Sequence, residues 1–165
     1  MKSISQVICA VAVLDGKKIK GTVHFSEDIK GRKVVIELDL QGLPKNSVHA
    51  FHIHEAGDLT DSCMSACAHF NPYHKNHGGI SSKERHVGDL GNIKSDGEGR
   101  VKCVIIDKLI KLRGTKANII GRSVMIHEDP DDEGVGGHDD SLTTGHAGKR
   151  IACAVIGYSK KMFGK

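Results

Sequence analysis

The stretch Val48-His49-Ala50-Phe51-His52-Ile53-His54-Glu55 has the side-chain alternation of a β-strand. Successive strand side chains point to opposite faces, so His52 and His54 share a face with their ring nitrogens close together. Such a pair makes a poor core and a good start to a metal site. His69, His77, His86, Asp89 and His127 follow, giving six histidines and one carboxylate. Imidazole suits copper and zinc, and a carboxylate is acceptable to zinc. A nitrogen-only group beside a mixed His and Asp group suggests two different metals. Any one of these histidines taken alone reads better as a solvated or hydrogen-bonded bystander. The set reads otherwise, because Phe51, Ile53, Gly78, Gly79 and Val87-Gly88-Asp89-Leu90-Gly91 frame it in structured, turn-rich sequence. A histidine-rich tract without a fold would be repetitive.

Outward from this stretch the same period recurs. Val7, Cys9, Val11 and Val13 form one face of a first strand, and Asp15-Gly16 is a hairpin signal. Ile19, Gly21, Val23 and Phe25 continue into a second strand, and Val34, Ile36, Leu38 and Leu40 mark a third. Val48 to His54, a short segment near Leu90, Val101 to Asp107, Ser123 to His127 and Ile151 to Tyr158 bring the total to about eight strands, with no convincing amphipathic helix. That pattern predicts an all-β fold, an eight-stranded antiparallel Greek-key barrel or sandwich. Two gaps, Glu55 to Val87 and Glu128 to Lys149, are too long for hairpins. Loops beyond about 12–15 residues in a compact domain are usually functional or disordered. These two carry most of the candidate ligands, so function is favoured.

The 165 residues fit one domain, 1–158, followed by a basic tail, 159–165. With no Trp the core must be built from Val, Ile and Leu, and 20 glycines against 3 prolines point to many tight turns. The net charge of +4 is mild, and no basic run is interleaved with aromatics, which argues against a nucleic-acid partner. No apolar stretch approaches the roughly 20 residues of a membrane span. The start, Met1 to Leu14, lacks a convincing cleavage site and reads as a strand, so the expected compartment is the cytoplasm.

His52 to Glu55, Cys63, His69-Phe70-Asn71-Pro72, His77-Gly78-Gly79, Glu84 to Asn92, His127-Glu128 and Gly145 to Ala154 together resemble a copper/zinc superoxide dismutase. The resemblance runs from about Val7 to Gly157. It implies a Greek-key β-barrel that converts superoxide to oxygen and hydrogen peroxide, with one copper and one zinc per subunit. It assigns His52, His54, His69 and His127 to copper, and His69, His77, His86 and Asp89 to zinc. His69 then bridges the metals and carries a proton to the departing peroxide. Arg150 matches an anion-binding arginine beside copper, and Thr144 a residue that narrows the channel opposite it. Asp131 matches a carboxylate that joins His52 to His77. Asp139 and Asp140 stand where two acids of the channel lie. Thr143 replaces a usual lysine, for which Lys149 is expected to compensate.

Of five cysteines, Cys63 and Cys153 match the family's intrachain disulfide, and Cys9 and Cys103 sit in strands as packing thiols. Cys67 is a departure, since relatives commonly have glycine there, and it reads as a tolerated thiol or a competitor for Cys153. His138 and His146 are also unusual and read as solvated loop histidines. Ile120-Gly121 and Ile156-Gly157 keep the small and apolar positions of a homodimer surface, whereas Ala56 replaces a residue that is often aromatic. The partners implied are superoxide, a second copy of the chain and a copper chaperone. The competing reading is a non-catalytic, dismutase-like module for copper and zinc binding or copper delivery.

Overall fold

A computed structural model describes residues 7–28 and 30–163. The first six residues, on which part of the leader-or-strand reading falls, lie outside the described residues. Eight antiparallel strands follow in chain order: β1 Ile8–Asp15, β2 Lys20–Glu27, β3 Val34–Gln41, β4 Val48–His54, β5 Asp89–Lys94, β6 Val101–Asp107, β7 Ser123–His127 and β8 Arg150–Tyr158. They form one sheet in the order β5-β4-β7-β8-β1-β2-β3-β6, curled into a nearly closed barrel. Non-sequential neighbours such as β4–β7 and β3–β6 give the Greek-key path.

The inward faces pack as alternation requires. Val23 and Phe25 of β2 and Val34, Ile36, Leu38 and Leu40 of β3 are all buried. In β1 the face carrying Cys9, Val11 and Val13 is the outer one. Ala10, Ala12 and Leu14 point inward, whereas Val13 is 59% exposed. Small alanines fit where β1 crosses the core. Strand β4 is buried on both faces, because Phe51 and Ile53 face the core while the long loops cover His52 and His54.

A third long connection, residues 108–122, joins β6 to β7. It has the composition of a loop, yet it inserts Ile110, Leu112 and Ile119 fully into the core. Its backbone is anchored by polar side chains. The Asp107 carboxylate accepts from the amides of Leu109 and Ile110, and buried Glu27 accepts from the Leu112 amide. Arg85, also buried, pairs with Asp107 at 2.5 Å and ties the ligand loop to the same point.

The Cys63–Cys153 disulfide joins the first long loop to β8 across 90 residues. Closing a loop of that size is worth about 4.6 kcal/mol in the chain-entropy account. Cys9 and Cys103 are half-buried and Cys67 is exposed, all three as free thiols. Beyond β8, Ser159 is buried and its amide donates to the Cys9 carbonyl at 2.9 Å, and a short 3-10 turn, Lys160–Phe163, lies along β1.

Candidate metal centre

Two adjoining groups of ligands converge where β4, β7 and the first long loop meet. His52 and His54 come from β4 and His127 from the end of β7. Register shifts at Ala50/His52 and Ile126/His127 disturb the ladders beside these ligands. Such bulges re-aim side chains. His69 is brought in by a bridge between its backbone and that of His54. Gly88 makes the loop's close approach possible. A Cβ there would lie 2.1 Å from the Ile53 carbonyl oxygen, so only glycine lets the turn carrying His86 and Asp89 press against β4.

The first group comprises His52, His54, His69 and His127, with ligand atoms within 4.8 Å of one another. Each ring has one nitrogen engaged elsewhere and one aimed inward. His52 Nε2 donates to Asp131 at 2.6 Å, His54 Nδ1 to the Cys67 carbonyl at 2.8 Å, and His127 Nδ1 to the Gly148 carbonyl at 3.3 Å. The inward atoms are then lone pairs. His54 Nε2 and His127 Nε2 face each other at 3.3 Å, while His52 Nδ1 and His69 Nε2 are buried without a hydrogen-bond partner. Converging lone pairs repel unless a cation sits among them, so this nitrogen set fits copper.

The second group centres on Asp89. Its Oδ1 lies 2.9 Å from His69 Nδ1, 3.0 Å from His77 Nδ1 and 3.1 Å from His86 Nδ1. Its Oδ2 accepts from the amides of His86 and Gly78 at 2.7 and 3.2 Å. Three imidazoles and one carboxylate at this spacing suit tetrahedral zinc. His69 belongs to both groups, one nitrogen to each.

Asp131 links the groups: Oδ2 accepts from His52 and Oδ1 accepts from His77 Nε2 at 2.7 Å. Its backbone is gripped by Asn92, whose side chain accepts from the Asp131 amide at 2.7 Å and donates to its carbonyl at 3.0 Å. Gly145 is required beside it, since a Cβ there would lie 2.3 Å from Asp131 Oδ1 and 2.4 Å from His77 Nε2.

Arg150 follows His127 across the β7–β8 ladder. Its NH1 donates to the Cys63 carbonyl at 2.8 Å and its NH2 to the Cys67 carbonyl at 2.6 Å. Its charge helps hold His54 and His127 neutral. The Thr144 hydroxyl donates to Asp140 at 2.7 Å, within the short helix α1 Ser141–Thr144 and its cap, while Asp139 and Lys149 are exposed. The sequence reading missed Asn92 and also His49, a buried histidine whose Nδ1 donates to the His127 carbonyl at 2.9 Å. The available signal for His49 was a third histidine in a strand with both faces covered; Asn92 offered none.

Burial, reinforced by the other histidines, pushes His52 down to about 3 and His54 to about 2. Burial likewise lowers His69, and pushes His127 down to about 4. It also opposes the charged form of His77, yet the carboxylates of Asp131 and Asp89 outweigh it and raise that ring to about 9. Burial disfavours ionised Asp89 and Asp131, but their histidine partners hold both well below the ordinary carboxylate range. In the metal-free protein, four rings therefore bind protons near pH 6.5 only after unfolding, so stability falls below that pH. His77 has the opposite sign: its contribution is complete below 6.5 and is lost as pH rises toward 9. Metal-free protein with its disulfide intact should be most stable near pH 6.5, with the steeper fall on the acid side. Urea unfolding at about pH 5, 6.5 and 8.5 checks this, and stability that rises from 6.5 to 5 would contradict it.

Comparison with known proteins agrees with this geometry. The family model for copper/zinc superoxide dismutase (SODC) matches residues 19–156. A Cu-Zn superoxide dismutase of Paramecium bursaria Chlorella virus 1 is 56% identical over 161 residues, 98% of this chain and 84% of that protein. One from Yarrowia lipolytica is 53% identical over 152 residues, 92% of this chain and 98% of that protein. A crystal structure of the clock protein EA4 superposes with a TM-score of 0.88 at 41% identity, covering 96% of this chain and 99% of that one. With two adjoining ligand groups on a Greek-key barrel and relatives this similar along nearly its whole length, the chain belongs to the copper/zinc superoxide dismutase family.

Proposed function

We propose that the two convergent groups are the working centre of a superoxide dismutase. His52, His54, His69 and His127 hold copper; His69, His77, His86 and Asp89 hold zinc. The observation that carries this is His69. Its Nδ1 faces Asp89 at 2.9 Å, and its Nε2 is buried and unpartnered beside the other copper histidines. Two cations stabilise an imidazole that has lost both ring protons. Copper supplies two oxidation states, so that two superoxides and two protons become oxygen and hydrogen peroxide, while redox-inert zinc fixes the loop and the bridge.

The chain's residues do the remainder. His69 carries a proton on Nε2 and delivers it to the departing peroxide. Arg150 docks the anion, because a guanidinium stays charged and its carbonyl tethers fix its position. Thr144 narrows the opening, Asp139 and Asp140 repel anions from its flank, and Lys149 supplies the positive charge that Thr143 does not. Asp131 orients His52 and His77. A delivery module without turnover is not favoured, since it has no use for Arg150 beside the copper histidines.

We also propose a homodimer built on Gly57, Gly121, Val155 and Gly157. A Cβ at Gly121 or Gly157 would meet nothing within 4 Å, and Val155 is 42% exposed, so the patch is flat and open. Three free thiols favour a reducing compartment such as the cytoplasm; a thiol-labelling assay on intact cells that found Cys67 fully oxidised would oppose it. Copper ligands no more than 5% exposed favour delivery by a chaperone before the loop closes. Full copper uptake by the folded, disulfide-bonded protein from free copper within seconds would argue against that.

Pulse radiolysis of the chain loaded with one copper and one zinc should give a second-order rate near the ceiling of about 10⁸–10⁹ M⁻¹s⁻¹. A rate no faster than that of the zinc-only protein would make the site a holder. Lys149→Ser should slow the reaction most at low ionic strength, where screening is weakest; a loss seen only at high salt would refute steering. Asp131→Asn should weaken zinc binding by about 10–100-fold, measured by competition with a chelator. Sedimentation velocity should give the mass of two chains, and Gly157→Arg should halve it without unfolding the barrel. A wild-type monomer at high concentration would refute the dimer.

A further inference from the structure

Two histidines that the metal centre does not use lie against each other on the second long loop. The rings of His138 and His146 stack with centroids 3.7 Å apart and planes 11° from parallel. Both residues are exposed. They flank α1, with Asp140 at its N-cap between them in sequence. His146 Nδ1 donates to Asp140 Oδ1 at 2.7 Å, and the other Asp140 oxygen accepts from the Thr144 hydroxyl. The ring of His146 is thus oriented through one nitrogen, with Nε2 left free. His146 also holds a left-handed backbone (φ 51°), which makes its placement specific rather than that of a random loop side chain.

From this arrangement we infer a second, surface site for a divalent transition metal, held by His138 and His146 and oriented by Asp140. Three considerations select the ligand. Two imidazoles are borderline nitrogen donors, which divalent copper binds most tightly among the first-row ions. A carboxylate on the far nitrogen of a ligating ring fixes its tautomer and raises its basicity, as in carboxylate–histidine–metal arrangements. The rings stack, so to bring two nitrogens onto one ion both exposed side chains turn out of the stack about their own side-chain bonds. The carboxylates of Asp139 and Asp140 lie on the same turn, so the local field is negative where a cation would sit.

The site sits next to the metal centre along the chain. His146 follows Gly145, the residue pressed against Asp131 and His77, and precedes Ala147, whose carbonyl accepts from the Asp129 amide at 3.0 Å.

The test uses the fully loaded holoenzyme, so that both inner sites are already filled. Equilibrium dialysis against buffered Cu(II) should show one further equivalent per chain, with an electron paramagnetic resonance signal of a square, nitrogen-ligated Cu(II) distinct from the inner copper. His138→Gln or His146→Gln should weaken that binding by at least about tenfold, Asp140→Asn by about tenfold, and the double histidine variant should remove the third equivalent. Superoxide decay by the double variant, already loaded, should be unchanged, which separates this site from the inner one. His74→Gln, which removes an exposed histidine elsewhere, should leave the third equivalent intact. An undiminished third equivalent in the double variant, or none in the parent chain up to about 100 μM free Cu(II), where a two-histidine chelate would be filled, overturns the inference.

Discussion

The fold of the metal region depends on the carboxylate of Asp131. It is buried, ionised, and shared between a histidine of β4 and a histidine of the first long loop. Without it, His52 and His77 each lose the acceptor that fixes which nitrogen points inward. The barrel provides the wall on which His52 and His127 stand, but the barrel alone does not choose between Nδ1 and Nε2. That choice is made by what each ring donates to: Asp131 for His52 and His77, the Cys67 carbonyl for His54, the Gly148 carbonyl for His127. The inward nitrogens are consequently set by the protein's own hydrogen bonds. The balance is electrostatically tense: four rings are kept neutral by burial and mutual proximity while His77 is drawn toward protonation by two carboxylates. Copper and zinc relieve this tension by taking the place of the missing positive charge.

Much of this could be read in the sequence, and the unread parts have physical reasons. Strands β2, β3 and β4 were legible because each alternates between a core face and a solvent or loop face, whereas β6 carries Val104 and Ile106 on its solvent face. Which face of β1 meets the core is not legible, because two of its three buried residues are alanines, weak in any apolar pattern, while Val13 on the other face is exposed. The connection 108–122 was read as neither element nor long loop, since its three core residues, Ile110, Leu112 and Ile119, follow no period. They are placed by hydrogen bonds from Asp107 and Glu27, which the sequence does not announce. The six histidines and Asp89 stand out as a set in the chain, their division into two groups follows from the resemblance, and the structure brings them together. Asn92 and His49 were not, because they act on backbone groups of Asp131 and His127, and nothing in a linear chain marks such a partnership.

Cys67 shows how a departure from the family pattern is accommodated. Its backbone (φ 64°, ψ −155°) lies in a region that belongs almost entirely to glycine, in keeping with the glycine that the resemblance leads one to expect there. A side chain in that region costs of order 1–3 kcal/mol, and the surroundings must hold it. Two donors do so by converging on one oxygen: His54 Nδ1 at 2.8 Å and Arg150 NH2 at 2.6 Å both donate to the Cys67 carbonyl. One stands in the nitrogen-only ligand group and the other pairs with His127 across the β7–β8 ladder. Turning the peptide to relieve the strain would release both. The disulfide acts on the same strip from the other side, since Arg150 also grips the carbonyl of Cys63, four residues earlier, and Cys63 is bound to Cys153 on β8. The function of this strip resides in its carbonyl oxygens, and a side chain at position 67 is tolerated because it leaves them where they are.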